Sequence, residues 1–185
     1  MKKVLLVALA AFGTLALSGC DMINSLISGE KQYKYNDFKA EIADRKLSFD
    51  ATKCKSTLEV DGKKTEREYT YQTYEILGVQ TWVYKYYDED LKTDLTGSKD
   101  LDLVNYFESI EMGAAFVKKD VDEIYKFYAK SDSYRIVCSY SDDEIKYEAE
   151  YKFGKDGLMT YSYEKNTDLK KVTSKEEKET FTYSK

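Results

Sequence analysis

Cys20, close to the start of the chain, has the sequence context best suited to a chemical step. Two basic residues, Lys2 and Lys3, precede an uncharged apolar run from Val4 to Leu17, and the small residues Ser18 and Gly19 follow it. The run is about 14 residues long, within the range of a signal-peptide core and short of the roughly 20 residues that a helix needs to span a bilayer. The pattern therefore predicts a targeting segment with a cysteine at its cleavage site.

This segment resembles the signal sequence of bacterial lipoproteins, whose lipobox corresponds here to Leu17-Ser18-Gly19-Cys20. The resemblance implies cleavage between Gly19 and Cys20, with a diacylglycerol attached to the Cys20 sulfur. It also implies a location at the cell membrane, lipid-anchored on the extracytoplasmic face, because two acyl chains anchor stably where one is marginal. The alternatives are an uncleaved N-terminal helix and a chance cysteine beside an ordinary cleavage site.

Composition and charge limit what the rest of the chain can do. The predicted organisation is a signal peptide over 1–19, a lipidated tether over 20–33 and a single domain over 34–185. The whole chain carries a net charge of −5, and removal of the signal peptide takes away Lys2 and Lys3 and no acid. An acidic mature chain argues against binding nucleic acid through bulk charge. The membrane, through the lipid on Cys20, is the one partner that the sequence predicts directly.

Catalytic and metal-binding chemistry finds little support in these residues. The chain has no histidine, which is the commonest general base and metal ligand near neutral pH. An acidic cluster, Asp88-Glu89-Asp90 with Asp94, suggests calcium, but Lys92 and Thr93 stand where an EF-hand loop needs an oxygen ligand and a glycine. We therefore predict a surface acidic loop, no catalytic residues, no metal, no cofactor and no enzyme activity.

The two remaining cysteines, Cys54 and Cys138, fall on apolar-facing positions of predicted strands. Outside the cytoplasm such a pair can oxidise, and the chain-entropy model assigns a bridge of this loop length about 4.5 kcal/mol. The alternative is two small buried hydrophobic residues that never meet.

Hydrophobic periodicity predicts helices and strands in blocks. A helix is predicted from Asn36 to Lys46, followed by strands over 47–60, 66–75 and 79–87, with Asp61-Gly62 as a two-residue hairpin turn. Helical spacing returns over 101–114 and again over 120–128. Four strands follow, over 134–140, 145–153 and 158–164 and around Phe181 and Tyr183, with a Lys/Glu-rich loop at 170–179.

This order predicts the α+β class, with a curved antiparallel β-sheet of about seven strands, half-barrel-like. An N-terminal helix and one or two further helices are predicted to pack on its concave face. The element order and the Phe153-Gly154-Lys155-Asp156-Gly157-Leu158 hairpin resemble the lipoprotein-carrier family of LolA, LolB and LppX-like lipoproteins. The resemblance implies a sheet that holds a lipid or another hydrophobic ligand, and it carries over no functional residues.

Two aromatic stripes are the candidate ligand-facing residues: Trp82, Tyr84 and Tyr86 on one predicted strand, and Tyr147 and Tyr151 on another. Aromatic side chains present rigid apolar area with a polar tip, which suits hydrophobic ligands and protein partners. The alternative is a tyrosine-rich core. The sequence thus supports a non-catalytic binding domain, or a structural or protein-interaction lipoprotein of the cell envelope that has a solid core and no small-molecule site.

Overall fold

The computed structural model describes residues 29–74, 79–88 and 91–185. Within those residues the chain forms ten strands and three helices. The strands are β1 (Lys31–Tyr33), β2 (Lys53–Val60), β3 (Lys63–Tyr74), β4 (Val79–Asp88), β5 (Thr93–Lys99), β6 (Tyr125–Ala129), β7 (Ser133–Ser141), β8 (Ile145–Gly154), β9 (Met159–Asp168) and β10 (Thr173–Ser184). The helices are α1 (Tyr35–Arg45), α2 (Leu103–Phe116) and α3 (Val121–Ile124).

All the strands belong to one antiparallel sheet in the order β1-β6-β7-β8-β9-β10-β2-β3-β4-β5. The prediction of an antiparallel sheet accompanied by few helices is confirmed. The predicted number of about seven strands was wrong, since ten are described. The sheet also remains open, with β1 and β5 as separate edges, and does not form the predicted half-barrel.

Three strands that the sequence did not predict account for the difference in number. β1 lies in the segment assigned to the tether, β5 in the segment assigned to an acidic loop, and β6 in the segment assigned to a second helix. That helix is only one turn long, α3, with the Asp120 carboxylate accepting a hydrogen bond from the Asp122 N–H at 2.9 Å. β6 then pairs with β1 on one side and β7 on the other, and this pairing overrides the helical spacing of Ile124 and Tyr128.

The hairpins follow the local sequence rules. Asp61 and Gly62 have φ angles of 48° and 81°, and a type I′ turn needs positive values at both positions. They join Val60 of β2 to Lys63 of β3 in direct register. Strict alternation along β8 buries Ala149, Tyr151 and Phe153 on one face, as predicted.

The helices contribute aromatic residues to the same core as the sheet. Phe38 of α1 lies 5.2 Å from Phe127 of β6 and 6.1 Å from Phe107 of α2, between ring centroids. One face of α2 is buried and consists of Leu103, Phe107, Ile110 and Ala114. Among the described residues, no helix combines the length and apolarity needed to cross a membrane.

Candidate functional site: an aromatic face that ends at a free sheet edge

Trp82, the centre of the first predicted stripe, is fully buried. Three rings surround it, with centroids 5.0 Å away for Tyr71, 5.3 Å for Tyr183 and 6.1 Å for Phe49. Tyr71 comes from the neighbouring strand β3, whereas Tyr183 belongs to β10 and Phe49 to the segment before β2. The indole therefore forms part of the core instead of lining an open site.

Tyr84 and Tyr86 continue this stripe outward along β4. The Tyr84 ring packs against Tyr69 in a tilted arrangement, with ring centroids 5.0 Å apart, and lies across Gly97 of β5, where an added Cβ would stand 2.6 Å from the Tyr84 Cζ atom. The Arg67 guanidinium covers the ring at 5.0 Å. Tyr84 is half-buried and Tyr86 is 41% exposed, so the exposure of the predicted stripe increases toward its outer end.

Tyr147 and Tyr151, the second predicted pair, lie on β8 beneath α2. Their hydroxyl groups are hydrogen-bonded to each other at 3.0 Å, and the Tyr151 ring packs 4.9 Å from Tyr106 of α2. Burial raises the pKa of both phenols. The two stripes thus share the core face of the sheet but are packed by helix and sheet side chains.

The most unusual group on this face is Glu179, a residue that sequence reasoning missed. Its carboxylate is 1% exposed and accepts hydrogen bonds from the Ser56 hydroxyl at 2.5 Å and the Tyr69 hydroxyl at 2.9 Å. Lys99 of β5 reaches it with an Nζ–Oε2 distance of 2.6 Å, passing over the Phe181 ring at 5.1 Å. These contacts connect the edge strand β5 with β10, although β2, β3 and β4 lie between them in the sheet.

Opposing effects set the proton affinity of Glu179. Burial alone would raise the pKa of this carboxyl, but the charge of Lys99 and the hydrogen bonds from Lys99, Ser56 and Tyr69 outweigh it and hold the pKa below its ordinary value. The alternation of side chains along a strand could have identified this residue, because Glu179, Phe181 and Tyr183 are spaced by two residues and therefore lie on the same face of β10. The surrounding Lys/Glu-rich sequence concealed it.

Cys54 and Cys138 are both buried, and neither forms a disulfide in the structure. Their strands, β2 and β7, are separated in the sheet by β10, β9 and β8. Burial raises the pKa of each thiol to about 11, so both thiols are protonated and unreactive near neutral pH.

The predicted anchor lies outside the described residues, which begin at Gly29, so Gly19 and Cys20 are not seen in the structure. Two members of the acidic cluster, Glu89 and Asp90, lie outside them as well. Within the described ranges, no group of three or more His, Cys, Asp or Glu side chains is placed to hold a metal ion.

The outer end of the aromatic face meets a free sheet edge. In the part of the chain that the structure describes, β5 pairs with β4 alone, so the backbone groups on its other side have no strand partner. Beside this edge, Tyr86, Tyr87 and Leu91 are 41%, 53% and 66% exposed. β5 has seven residues and the opposite edge strand β1 has three. Because short edge strands are poor templates for pairing, β5 is the edge strand that is more accessible to an added strand.

No family model matches this chain, and no curated protein matches it.

Proposed function

We propose that this chain is a membrane-anchored extracytoplasmic lipoprotein that acts by binding a protein partner and not by catalysis. The lipobox sequence ending at Cys20 supports the anchor. The packing of the aromatic face supports binding to a protein partner, because Trp82 and Tyr151 are buried in the core. A domain with its aromatic side chains committed in this way binds through its outer surface and its edges.

The observation that carries this proposal is the free edge of β5 beside exposed apolar side chains. An edge strand offers a row of backbone donors and acceptors, and the chemistry that satisfies such a row is another extended strand. An added strand would place its side chains alternately beside Leu95 on the core face and beside Thr96 on the outer face. Leu95 is half-buried and Thr96 is exposed, so the two faces would select an apolar and a polar side chain respectively.

The test is site-specific photo-crosslinking of the full chain in its own membrane. A photoreactive phenylalanine replaces Tyr87, which is 53% exposed and lies next to the edge. We expect an adduct with a protein, and we expect Thr96→Lys to abolish it, because a lysine on an edge strand disfavours pairing with another strand.

A matched substitution controls for the added charge. Thr180→Lys makes the same change at an exposed position of β10, which is paired on both sides, and should leave the adduct unchanged. An adduct that survives Thr96→Lys would show that binding does not use the edge. Absence of an adduct in the otherwise unchanged chain would contradict the proposed interaction.

A hydrophobic ligand, as the carrier-family resemblance implies, is a second candidate with one observation in its favour. The Trp82 Nε1–H is buried and has no hydrogen-bond acceptor among the described residues. A surface cleft of about 620 Å³ borders Phe49 and Tyr183, two of the rings that surround Trp82. A lipid that co-purifies with the chain in native mass spectrometry and contacts this cleft would favour the ligand-binding function over the edge-binding one.

A further inference from the structure

Helix α2 carries apolar side chains on two faces, and only one of them contacts the core. The row Val104, Glu108, Met112 and Phe116, spaced by four residues, lies on the outward face. Its three apolar members are 55%, 65% and 86% exposed. A helix that buries one apolar face and leaves a second one in water has a surface that calls for a partner.

The segment that follows the predicted anchor leads into elements that contact this helix. β1 leads into α1, where the Tyr35 hydroxyl donates to Glu111 of α2 at 2.5 Å and Lys39 pairs with the same carboxylate at 2.9 Å. Glu111 precedes Met112 of the outward row. From Cys20 to Gly29 the chain can extend at most about 32 Å at 3.3–3.6 Å per residue, so the proposed anchor keeps the start of the domain within that distance of the bilayer.

We propose that the outward face of α2 rests on the bilayer surface and orients the domain there. The inference depends on the proposed lipid anchor at Cys20 and goes beyond it by naming a second membrane contact. Glu108 lies within the row, and the Lys118 and Lys119 pair is followed by Asp120, so the local charges are mixed. The contact is therefore apolar and shallow, with Phe116 and Met112 entering the interfacial region of uncharged phospholipid.

The experiment uses the full lipidated chain in phosphatidylcholine vesicles that contain spin-labelled lipid. A thiol-reactive fluorophore is attached to Ala115→Cys, an exposed position between Met112 and Phe116 that leaves both in place. The matched position is Lys55→Cys, whose native side chain is 80% exposed and lies on the sheet face away from the core. Because Cys54 and Cys138 are buried, the label goes to the introduced thiol.

We expect quenching at position 115 to exceed that at position 55 by about twofold or more, since interfacial helices bury their apolar face roughly 5–10 Å into the headgroup boundary. Phe116→Glu in the Ala115→Cys background should reduce the quenching to the level of position 55. Equal quenching at the two positions, in protein that floats with the vesicles, would overturn the α2 contact and leave the anchor standing. Protein that fails to float would overturn both.

A different occupant of α2 gives a distinct result. If a second copy of the chain covered the helix, quenching at position 115 would stay low and the label would respond to protein density in the vesicles. If another protein covered it, quenching would again be low in pure lipid. Either outcome contradicts the membrane contact.

Discussion

Glu179 shows how a charge can be retained inside an aromatic core. Two hydroxyl groups and Lys99 supply its partners, so no oxygen of the buried carboxylate is left without a hydrogen bond. Replacing a buried ion pair by apolar residues is often neutral in stability, whereas removing one partner is costly. We infer that this cluster fixes the position of the edge strand β5, because Lys99 is its last residue.

Glu179→Gln should lower the free energy of unfolding near neutral pH by about 1–3 kcal/mol, since the amide keeps the shape but leaves Lys99 without its counter-charge. The native pKa of Glu179 lies below its ordinary value of 4.5. The stabilisation is therefore present above about pH 4.5 and is lost as the pH falls through the native pKa. Denaturant titrations across this range should show that acid destabilises the variant less than the wild type.

Glu177→Gln is the matched control on the same strand. Glu177 lies on the same face of β10 as Glu179 but nearer the outer end of the strand, where it pairs with Lys175 at 2.5 Å and the Lys175 and Glu177 side chains are 63% and 35% exposed. Such surface pairs contribute about 0–1 kcal/mol. A loss of stability at Glu177 equal to that at Glu179 would contradict the role given to the buried cluster.

At the scale of elements, the start of α2 depends on one side chain. The Asp102 carboxylate accepts hydrogen bonds from the Asn105 backbone N–H at 3.0 Å and from the Asn105 amide at 2.9 Å. Asp102 also forms an isolated bridge with Leu158, which ties the helix start to the region before β9.

Asp102→Ala should destabilise the domain by about 0.5–2 kcal/mol, whereas Asp102→Asn should lose much less, because asparagine is an equally good N-cap. Thermal or denaturant unfolding of the two variants measures the difference. Equal losses would assign the effect to the carboxylate charge and not to capping.

The sequence predicts those elements whose pattern is set by burial on one face. β8 alternates strictly because one of its faces is packed and the other is wet, and its register with β7 follows. β5, from Thr93 to Lys99, could not be predicted in this way because it is a polar edge strand. Among the described strands it pairs with β4 alone, and Leu95 is its one large apolar residue. β6 could not be predicted from alternation either, because Phe127, Tyr128 and Ala129 are all buried and the sequence shows no alternation of apolar and polar residues there.

The aromatic residues illustrate the same limit at the candidate site. Alternation correctly places Trp82, Tyr84 and Tyr86 on one face of β4. Phe49 and Tyr183, which are far away in the sequence, fill the space around Trp82, and Tyr106 of α2 packs over Tyr151 of β8. Long-range packing of this kind leaves no local signal.

At the scale of the whole molecule, the proposed lipid anchor would determine where the domain works. If the proposed anchor is correct, Cys20→Ser should release the protein from membranes into the soluble fraction, because it removes the sulfur to which the acyl chains would be attached. Fractionation together with electrophoretic mobility measures the change. Cys54→Ala, which alters a buried thiol, should leave the membrane fraction unchanged, and an unaltered distribution of Cys20→Ser would contradict the lipid anchor.

The short strand β1 has a mechanical consequence. It is the first described strand and lies in the segment assigned to the tether. Among the described strands its three residues pair with β6 alone, and Glu30 beside it is held by Arg135 at 2.7 Å. Tension applied through an anchored N-terminus would load this strand and this single ion pair before any other part of the sheet. β1 would therefore peel first, and the remaining nine strands would stay folded while the domain gains extra reach.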